Sequence, residues 1–359
     1  MLDNLWKKKV TMIVGVDIGS HSVKAVLLNQ SSDGYVLEDY AIEPMPRGAI
    51  LDREIQDIEA VGDVIIKIRQ NILAKAKDAA VAVSGQTVIT KIIYMDVALS
   101  EDELASQIEI EADNLIPFPL DEVSLDFESL DVNESDPSKV NVLLSAARTE
   151  SVEARVAALE TGDFNVKVVD VESYAVSRSY DLCVSQLPDD AIDKTVAIVD
   201  IGATMTLFSA TKAGKHIYSR DQIFGGEQYT RSIVSYYNQS FESAEIAKIT
   251  NDLPPNYTFE VLAPFHTVLI QQIRRAIQMF LTSSGADKVD YLLISGGTAS
   301  IEEIETLLTD ELGIHTVIAN PFNNMQLAST IDADDLSSVA PQLMVATGLA
   351  LRSFTPWHI

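Results

Sequence analysis

Apolar positions along this chain follow two rhythms, one of strand length and one of helical spacing. A short apolar run, Val14-Gly15-Val16, ends in Asp17-Ile18-Gly19, passes through polar Ser20-His21-Ser22 and resumes as Val23 to Leu27 around Lys24. That pattern predicts strand, tight turn, strand. Tyr35 to Ile42 reads as a third strand, ended by Pro44, Pro46 and Gly48. Ile55, Ile58, Val61, Ile65, Ile68 and Ile72 then recur at helical spacing, Lys75 to Asp78 closes that helix, and Ala79 to Val83 is a buried strand.

The middle of the chain changes character. Val88 to Met95 reads as a strand, and Ser100 to Glu103 has the capping-box form that starts a helix. Leu104, Ile108, Ala112 and Leu115 mark its apolar face, while Glu101, Asp102, Glu103, Glu109, Glu111 and Asp113 form a solvated acidic face. Pro117 and Pro119 stop the helix around Phe118, which reads equally as core or as the wall of a groove. Leu125 to Leu130 and Val140 to Ala147 pair across the polar loop Asn133 to Ser138. Val166 to Val171 leads into a helix from Glu172 to Val184. A carboxylate at that start favours a capping role for Glu172.

Then the opening design returns. Val196 to Val199, Asp200-Ile201-Gly202, Ala203-Thr204-Met205 and Thr206-Leu207-Phe208 repeat strand, Asp-Ile-Gly, hydroxyl-bearing turn, strand. A long-range repeat points to two similar domains. Lys215 to Phe224 is a further strand, and Gly225-Gly226-Glu227 opens a helix carrying Thr230, Ile233, Val234 and Tyr237; such a double glycine admits a ribose or phosphate. Val261 to Phe280 is a long amphipathic helix, with Arg274 and Arg275 in solvent. Tyr291 to Ser295 runs into Gly296-Gly297-Thr298, where a flat base can lie against backbone. Pro341 to Leu351 is a last helix, with Gly348 at a close packing point.

The chemistry of the repeat is that of a phosphate clamp. Asp17, at a strand end, suits a hydrated magnesium ion; backbone N–H groups of Ser20, His21 and Ser22, with the Lys24 charge, suit phosphate oxygens. Two such hairpins facing each other enclose one nucleotide.

Composition narrows the function further. The 359 residues suffice for two domains, and alternating strands and helices give an α/β class. A formal charge of −27 argues against binding nucleic acid and against direct attraction to anionic lipid. Cys183 is the only cysteine, which excludes an internal disulfide and suits a cytoplasmic protein. No apolar run reaches the roughly 20 residues of a membrane span. Leu2, Leu5 and Trp6 beside Lys7, Lys8 and Lys9 form at most a short surface-touching segment. The histidines His21, His216, His266, His315 and His358 lack metal-ligand spacing, and no nucleophile elbow or Walker-type run is present.

The three ordered motifs, Asp17 to Lys24, Asp200 to Thr206 and Ser295 to Thr298, resemble the first phosphate loop, second phosphate loop and adenosine loop of the actin-like ATPase superfamily. Within it, Ile116-Pro117-Phe118-Pro119, Val152 to Val156, Val168 to Glu172 and Ala319 to Phe322 are similar to the PilM family of type IV pilus assembly. The resemblance implies an actin-like, ribonuclease H-like two-domain ATPase fold with an inserted small α/β subdomain. Its first subdomain would take residues 10–83, 161–190 and 340–359, and the insert 84–160. The second would take 191–225 and 286–339, with a helical nucleotide-contacting subdomain at 226–285.

The resemblance also implies ATP and Mg2+ as cofactors. Asp17 and Asp200 would hold the metal. Gly19, Ser20, His21, Ser22, Lys24, Gly202, Ala203, Thr204 and Thr206 would cradle phosphates. Gly225, Gly226, Glu245, Lys248, Gly296, Gly297 and Thr298 would hold the nucleoside, although Glu245 and Lys248 also read as a simple i to i+3 ion pair. Glu172 stands where actin-like relatives orient the attacking water; hydrolysis is expected to be weak or absent. The implied function is a cytoplasmic scaffold that docks the N-terminal tail of the membrane protein PilN, meets other pilus inner-membrane components, reaches the membrane through these partners and self-associates. An FtsA-like filament protein and a sugar-kinase-type phosphotransferase, with Asp170 as base, are the alternatives.

Overall fold

The computed structural model describes residues 12–72, 76–85 and 88–355. The sequence readings on Leu2, Leu5, Trp6, Lys7 to Lys9, Lys75 and His358 lie outside those residues. The chain opens with β1 (Val14–Ile18), β2 (Ser22–Ser31) and β3 (Gly34–Pro44), then the small hairpin β4 (Ile50–Leu51) and β5 (Glu54–Ile55). Helix α1 (Ile58–Asn71) and β6 (Asp78–Val83) follow. Next come β7 (Ile89–Asp96), α2 (Glu101–Leu115), β8 (Val123–Val132), β9 (Lys139–Arg148), α3 (Thr149–Thr161), β10 (Asn165–Val171) and α4 (Glu172–Cys183). The second half holds β11 (Thr195–Ile201), β12 (Thr206–Lys212), β13 (Lys215–Gln222), α5 (Glu227–Tyr237), α6 (Phe241–Ile249) and α7 (Ala263–Ser284). It continues with β14 (Tyr291–Ser295), α8 (Ile304–Leu312), β15 (His315–Ile318), β16 (Gln326–Leu327), α9 (Ala333–Val339) and α10 (Met344–Ala350).

Two large sheets share one wiring. The first runs β10-β6-β1-β2-β3-β16 and the second β13-β12-β11-β14-β15. In each, an antiparallel three-stranded meander is extended on one side by two parallel strands, so β1 and β11 occupy equivalent central places; the first sheet adds β16 parallel to β3 on its other edge. Their apolar residues are buried on both faces, as parallel strands between helices require. Val196, Ile198 and Leu207 from the second sheet share a core with Ala80 and Val168 from the first, through Val176 of α4 and Leu349 of α10. Each such Val, Ile or Leu side chain taken fully from water is worth about 2 kcal/mol. The crossing of α4 and α10 is backbone on backbone: a Cβ at Gly348 would sit 1.8 Å from the Ala175 carbonyl oxygen.

The third sheet, β7-β9-β8, is antiparallel and packs one face on α2 through Met95, Leu104, Ile108, Ala112, Val142 and Leu144. The capping box forms: Ser100 Oγ accepts from the Glu103 amide and Glu103 reaches back to the Ser100 amide. Phe118 is half-buried against this core, and the Arg148 guanidinium lies 4.6 Å from its ring centre. The inner side of the ring is a packing element of this small core.

Three element readings are corrected. Ile55 belongs to β5, because Asp57 caps α1 by accepting from the Ala60 amide and so fixes the helix start after it. Residues Thr258–Leu262 form one wide π-turn before α7. The last helix is shorter than expected, because Ala340–Leu343 takes 3-10 form and the α-helix begins at Met344. Among the described residues no helix is long and apolar enough to cross a membrane.

Candidate nucleotide site

Equivalent placement of β1 and β11 brings the two Asp-Ile-Gly turns face to face. In the first turn the Gly19 amide donates to the Ser22 carbonyl at 3.1 Å; in the second the Gly202 amide donates to the Met205 carbonyl at 2.9 Å. The hydroxyls at their tips, Ser20 Oγ and Thr204 Oγ1, lie 3.1 Å apart. Ala203 shares the second tip, whereas Thr206 does not: it is the first residue of β12, buried, with its hydroxyl donated to the Phe224 carbonyl. Ser22 is likewise buried at the start of β2.

Behind the tips lies a cluster of charge. Asp17 and Lys24 are register partners across β1 and β2, and Lys24 Nζ donates to Asp17 Oδ2 at 2.9 Å. The lysine charge is thus engaged by the first aspartate, beside the turn where the sequence reading has it meet a phosphate. Asp200 accepts from Ser295 Oγ at 2.8 Å. Burial, then the charge of Glu172, and further on that of Asp17, push the Asp200 carboxyl up to about 6, against the pull of Ser295 and Lys24. Among the described residues no three or more acids, cysteines or histidines converge on one point. Two aspartates leave most of an octahedral shell to water and phosphate, which is how magnesium is usually held.

Glu172 does not cap α4. The N-cap is Val171, no side chain caps that end, and the Glu172 carboxylate instead receives Arg53 Nη1. Burial works against its charge, but the Arg53 ion pair and hydrogen bond, with Ser84 and Arg155, hold its pKa below the ordinary value. Arg53 also reaches Asp221 on β13, with Nη2 at 3.0 Å from Oδ1. The residue that the resemblance places where a water would be oriented is thus held in an ion pair with Arg53. Asp170, the candidate kinase base, is held by Arg178 and Arg352 and is equally engaged.

The glycines divide by what fills their missing side chains. A Cβ on Gly225 would lie 2.4 Å from the Ala203 carbonyl oxygen, and one on Gly296 (φ +84°) 2.4 Å from that of Ile201. Gly226 and Glu227 donate their amides to Gly202 and Ala203, and Thr298 Oγ1 donates to the Gly202 carbonyl at 3.2 Å. At Gly225 and Gly296 the missing side chain makes room for the backbone of the second turn. Gly297 differs: the nearest atoms to a Cβ there belong to Gln342 at 3.8 Å.

On α6 the predicted ion pair forms. Lys248 Nζ donates to Glu245 Oε1 at 2.6 Å, and Thr230 Oγ1 to Glu245 Oε2 at 2.5 Å. Burial raises the Glu245 pKa less than Lys248 and Thr230 lower it, so the carboxylate stays ionised. His21 Nε2, from the first turn, stands 3.9 Å from Glu245 Oε1. Desolvation lowers the His21 pKa, leaving it neutral near pH 7. Arg47 adds a further bridge to this side, 3.7 Å from Glu227 and 4.1 Å over the Phe241 ring.

Sequence reasoning missed Arg47, Arg53, Asp221 and Ser295. Ser295 was within reach, since it ends a buried strand just before Gly296-Gly297. The arginine partners lie far along the chain, and no local pattern marks them.

The family described as type IV pilus assembly protein PilM matches residues 15–354. Among solved structures, a PilM-PilN type IV pilus biogenesis complex is similar at 24% identity, covering 97% of this chain and 100% of that chain, with a TM-score of 0.81. The ethanolamine utilization protein EutJ of Carboxydothermus hydrogenoformans is similar at 15% identity over 94% of this chain and 89% of that chain, TM-score 0.56. A diol dehydratase-reactivating factor in nucleotide-free form is similar at 10% identity over 95% and 99%, TM-score 0.53. The shared architecture is the actin-like α/β fold.

Proposed function

This chain belongs to the PilM family of type IV pilus assembly proteins, and from that premise we propose that it is an ATP-binding scaffold that docks the N-terminal tail of a PilN-type membrane protein. The observation that carries the nucleotide half is the meeting of the two turns, with Ser20 and Thr204 3.1 Å apart in front of Asp17 and Asp200. Backbone amides at Ser20, His21, Ala203 and Thr204 are the phosphate donors in this reading. The residues fit a hydrated magnesium ion: two hard carboxylates, one of them burdened by buried negative charge that a cation would relieve. Asp17 and Asp200 would hold it, and its charge would offset that of the phosphates.

Turnover is not part of the proposal. Glu172 is neutralised by Arg53, so the cleft binds nucleotide without a ready base. The docking half rests on family membership and on the third sheet beside the first. Attachment to the membrane would then come through the partner. Calorimetric titration of the full chain with a synthetic PilN-type tail, with and without ATP and magnesium, tests both halves. Saturable tail binding is expected; absence of binding in both conditions overturns the docking role.

A further inference from the structure

Arg53 sits on an unusual turn. Asp52 (φ 50°) and Arg53 (φ 67°) both adopt the left-handed conformation that side chains disfavour, although neither is glycine. The turn is held from outside: Arg155 Nη2 donates to the Arg53 carbonyl at 2.5 Å, and Arg155 is itself fixed by Ser151 at 2.6 Å and by Glu54 at 3.6 Å. A buried arginine is thus used to set the backbone of another. The side chain so aimed is only 13% exposed and joins Glu172, at the start of α4, to Asp221, on β13. Glu172 belongs to the first sheet's lobe and Asp221 to the second.

The same two carboxylates hold the connection into the third sheet. Ser84 and Gly85 follow β6; the Ser84 hydroxyl lies against Glu172 and the Gly85 amide against Asp221, each stabilising the carboxylate charge. Ser84, Gly85, Glu172 and Asp221 wall one cavity of about 460 Å³, closed on the third-sheet side by Val88 and Thr90.

We infer that Arg53 is a positioning residue that links closure of the nucleotide cleft to the seating of the third sheet, through Asp221 and the Ser84-Gly85 connection. The inference rests on the reading of the cleft as the nucleotide site and the third sheet as part of the tail's docking unit. Parting the lobes takes Asp221 away from Arg53 and Gly85 together. Buried charges that lose a partner are strongly disfavoured, so the two contacts break and re-form together. Closure re-forms both contacts and fixes Ser84 and Gly85.

The test uses the full chain with Asp221→Asn, which keeps shape and removes charge, and Arg53→Lys, which keeps charge and removes the fork. Hydrogen exchange without nucleotide is measured first, on peptides spanning Ser84 to Asp96. Both variants should exchange there at least about tenfold faster than the unaltered protein while peptides from β11 and β12 are unchanged; equal exchange overturns the link. Tail titration then reads the coupling. In the unaltered protein ATP with magnesium should change tail affinity about fivefold or more, a typical allosteric magnitude, and in Asp221→Asn the ratio should fall to about one. A ratio retained in the variants, or indifference to nucleotide in an unaltered protein that binds both ligands, overturns the link. Failure of the unaltered protein to bind tail or nucleotide instead overturns the reading of that site, and the exchange result still judges Arg53.

Discussion

The hydroxyls of Ser20 and Thr204 stand 3.1 Å apart although 184 residues separate them. The duplicated wiring of the two sheets produces this meeting, since each hydroxyl follows the Gly of an Asp-Ile-Gly turn at the end of a central strand. A nucleotide seated there, as proposed, would touch both lobes and hold them together.

Asp17→Asn should abolish magnesium-dependent ATP binding while the hairpin stays folded. ATP with magnesium at a hundredfold over its dissociation constant should stabilise the unaltered protein by about 2.7 kcal/mol. The shift in unfolding midpoint should vanish in the variant; a full shift would remove Asp17 from the metal site.

Asp200 makes stability depend on pH. Its carboxyl is raised from 3.8 to about 6, chiefly by burial. Between those values the folded state holds the proton more tightly than the unfolded chain, so stability falls as pH rises, with the penalty complete above about 6. Asp200→Asn should therefore stabilise the ligand-free protein by about 1–3 kcal/mol at pH 7.5 and have little effect at pH 4. Urea denaturation at the two pH values reads the difference; no gain at pH 7.5 would refute the assigned strain.

Two glycines should respond in opposite ways. Gly348→Ala would set a methyl group 1.8 Å from the Ala175 carbonyl oxygen and should cost about 3 kcal/mol. Gly297→Ala meets nothing closer than Gln342 at 3.8 Å, so stability should hold within about 1 kcal/mol while nucleotide affinity falls. Denaturation and nucleotide titration of both variants separate packing from binding. Unchanged affinity in Gly297→Ala would remove that residue from the nucleoside contact.

Phe118→Ala should destabilise the third sheet and α2 by about 2 kcal/mol, since the half-buried ring packs on their core and under Arg148. Tail affinity of the folded variant should be unchanged. Loss of tail binding without loss of stability would return Phe118 to the groove.

The sequence was most informative where one rhythm governed one element. Two apolar strands flanking Asp17-Ile18-Gly19, and again Asp200-Ile201-Gly202, specify hairpins by period and turn chemistry alone, and their repetition gives the two-lobed α/β fold. Residues whose roles depend on distant partners were not legible. Glu172 carries every local mark of a helix cap, yet Arg53, 119 residues earlier, takes its carboxylate. Gly225 and Gly296 announce that space is needed; only the fold reveals that Ala203 and Ile201 fill it. Arg53 itself lies in a turn with no glycine, so its left-handed backbone leaves no trace in the local pattern.

The contact of Gly348 with Ala175 has a mechanical result. Two helices whose main chains touch cannot slide past each other without collision, yet they can turn about the point where they meet. Any rocking of the two lobes would therefore pivot at the crossing of α4 and α10. Rocking there leaves the nearby core almost still, while parts far from the pivot travel on a long arm, so a change of a few degrees is magnified with distance.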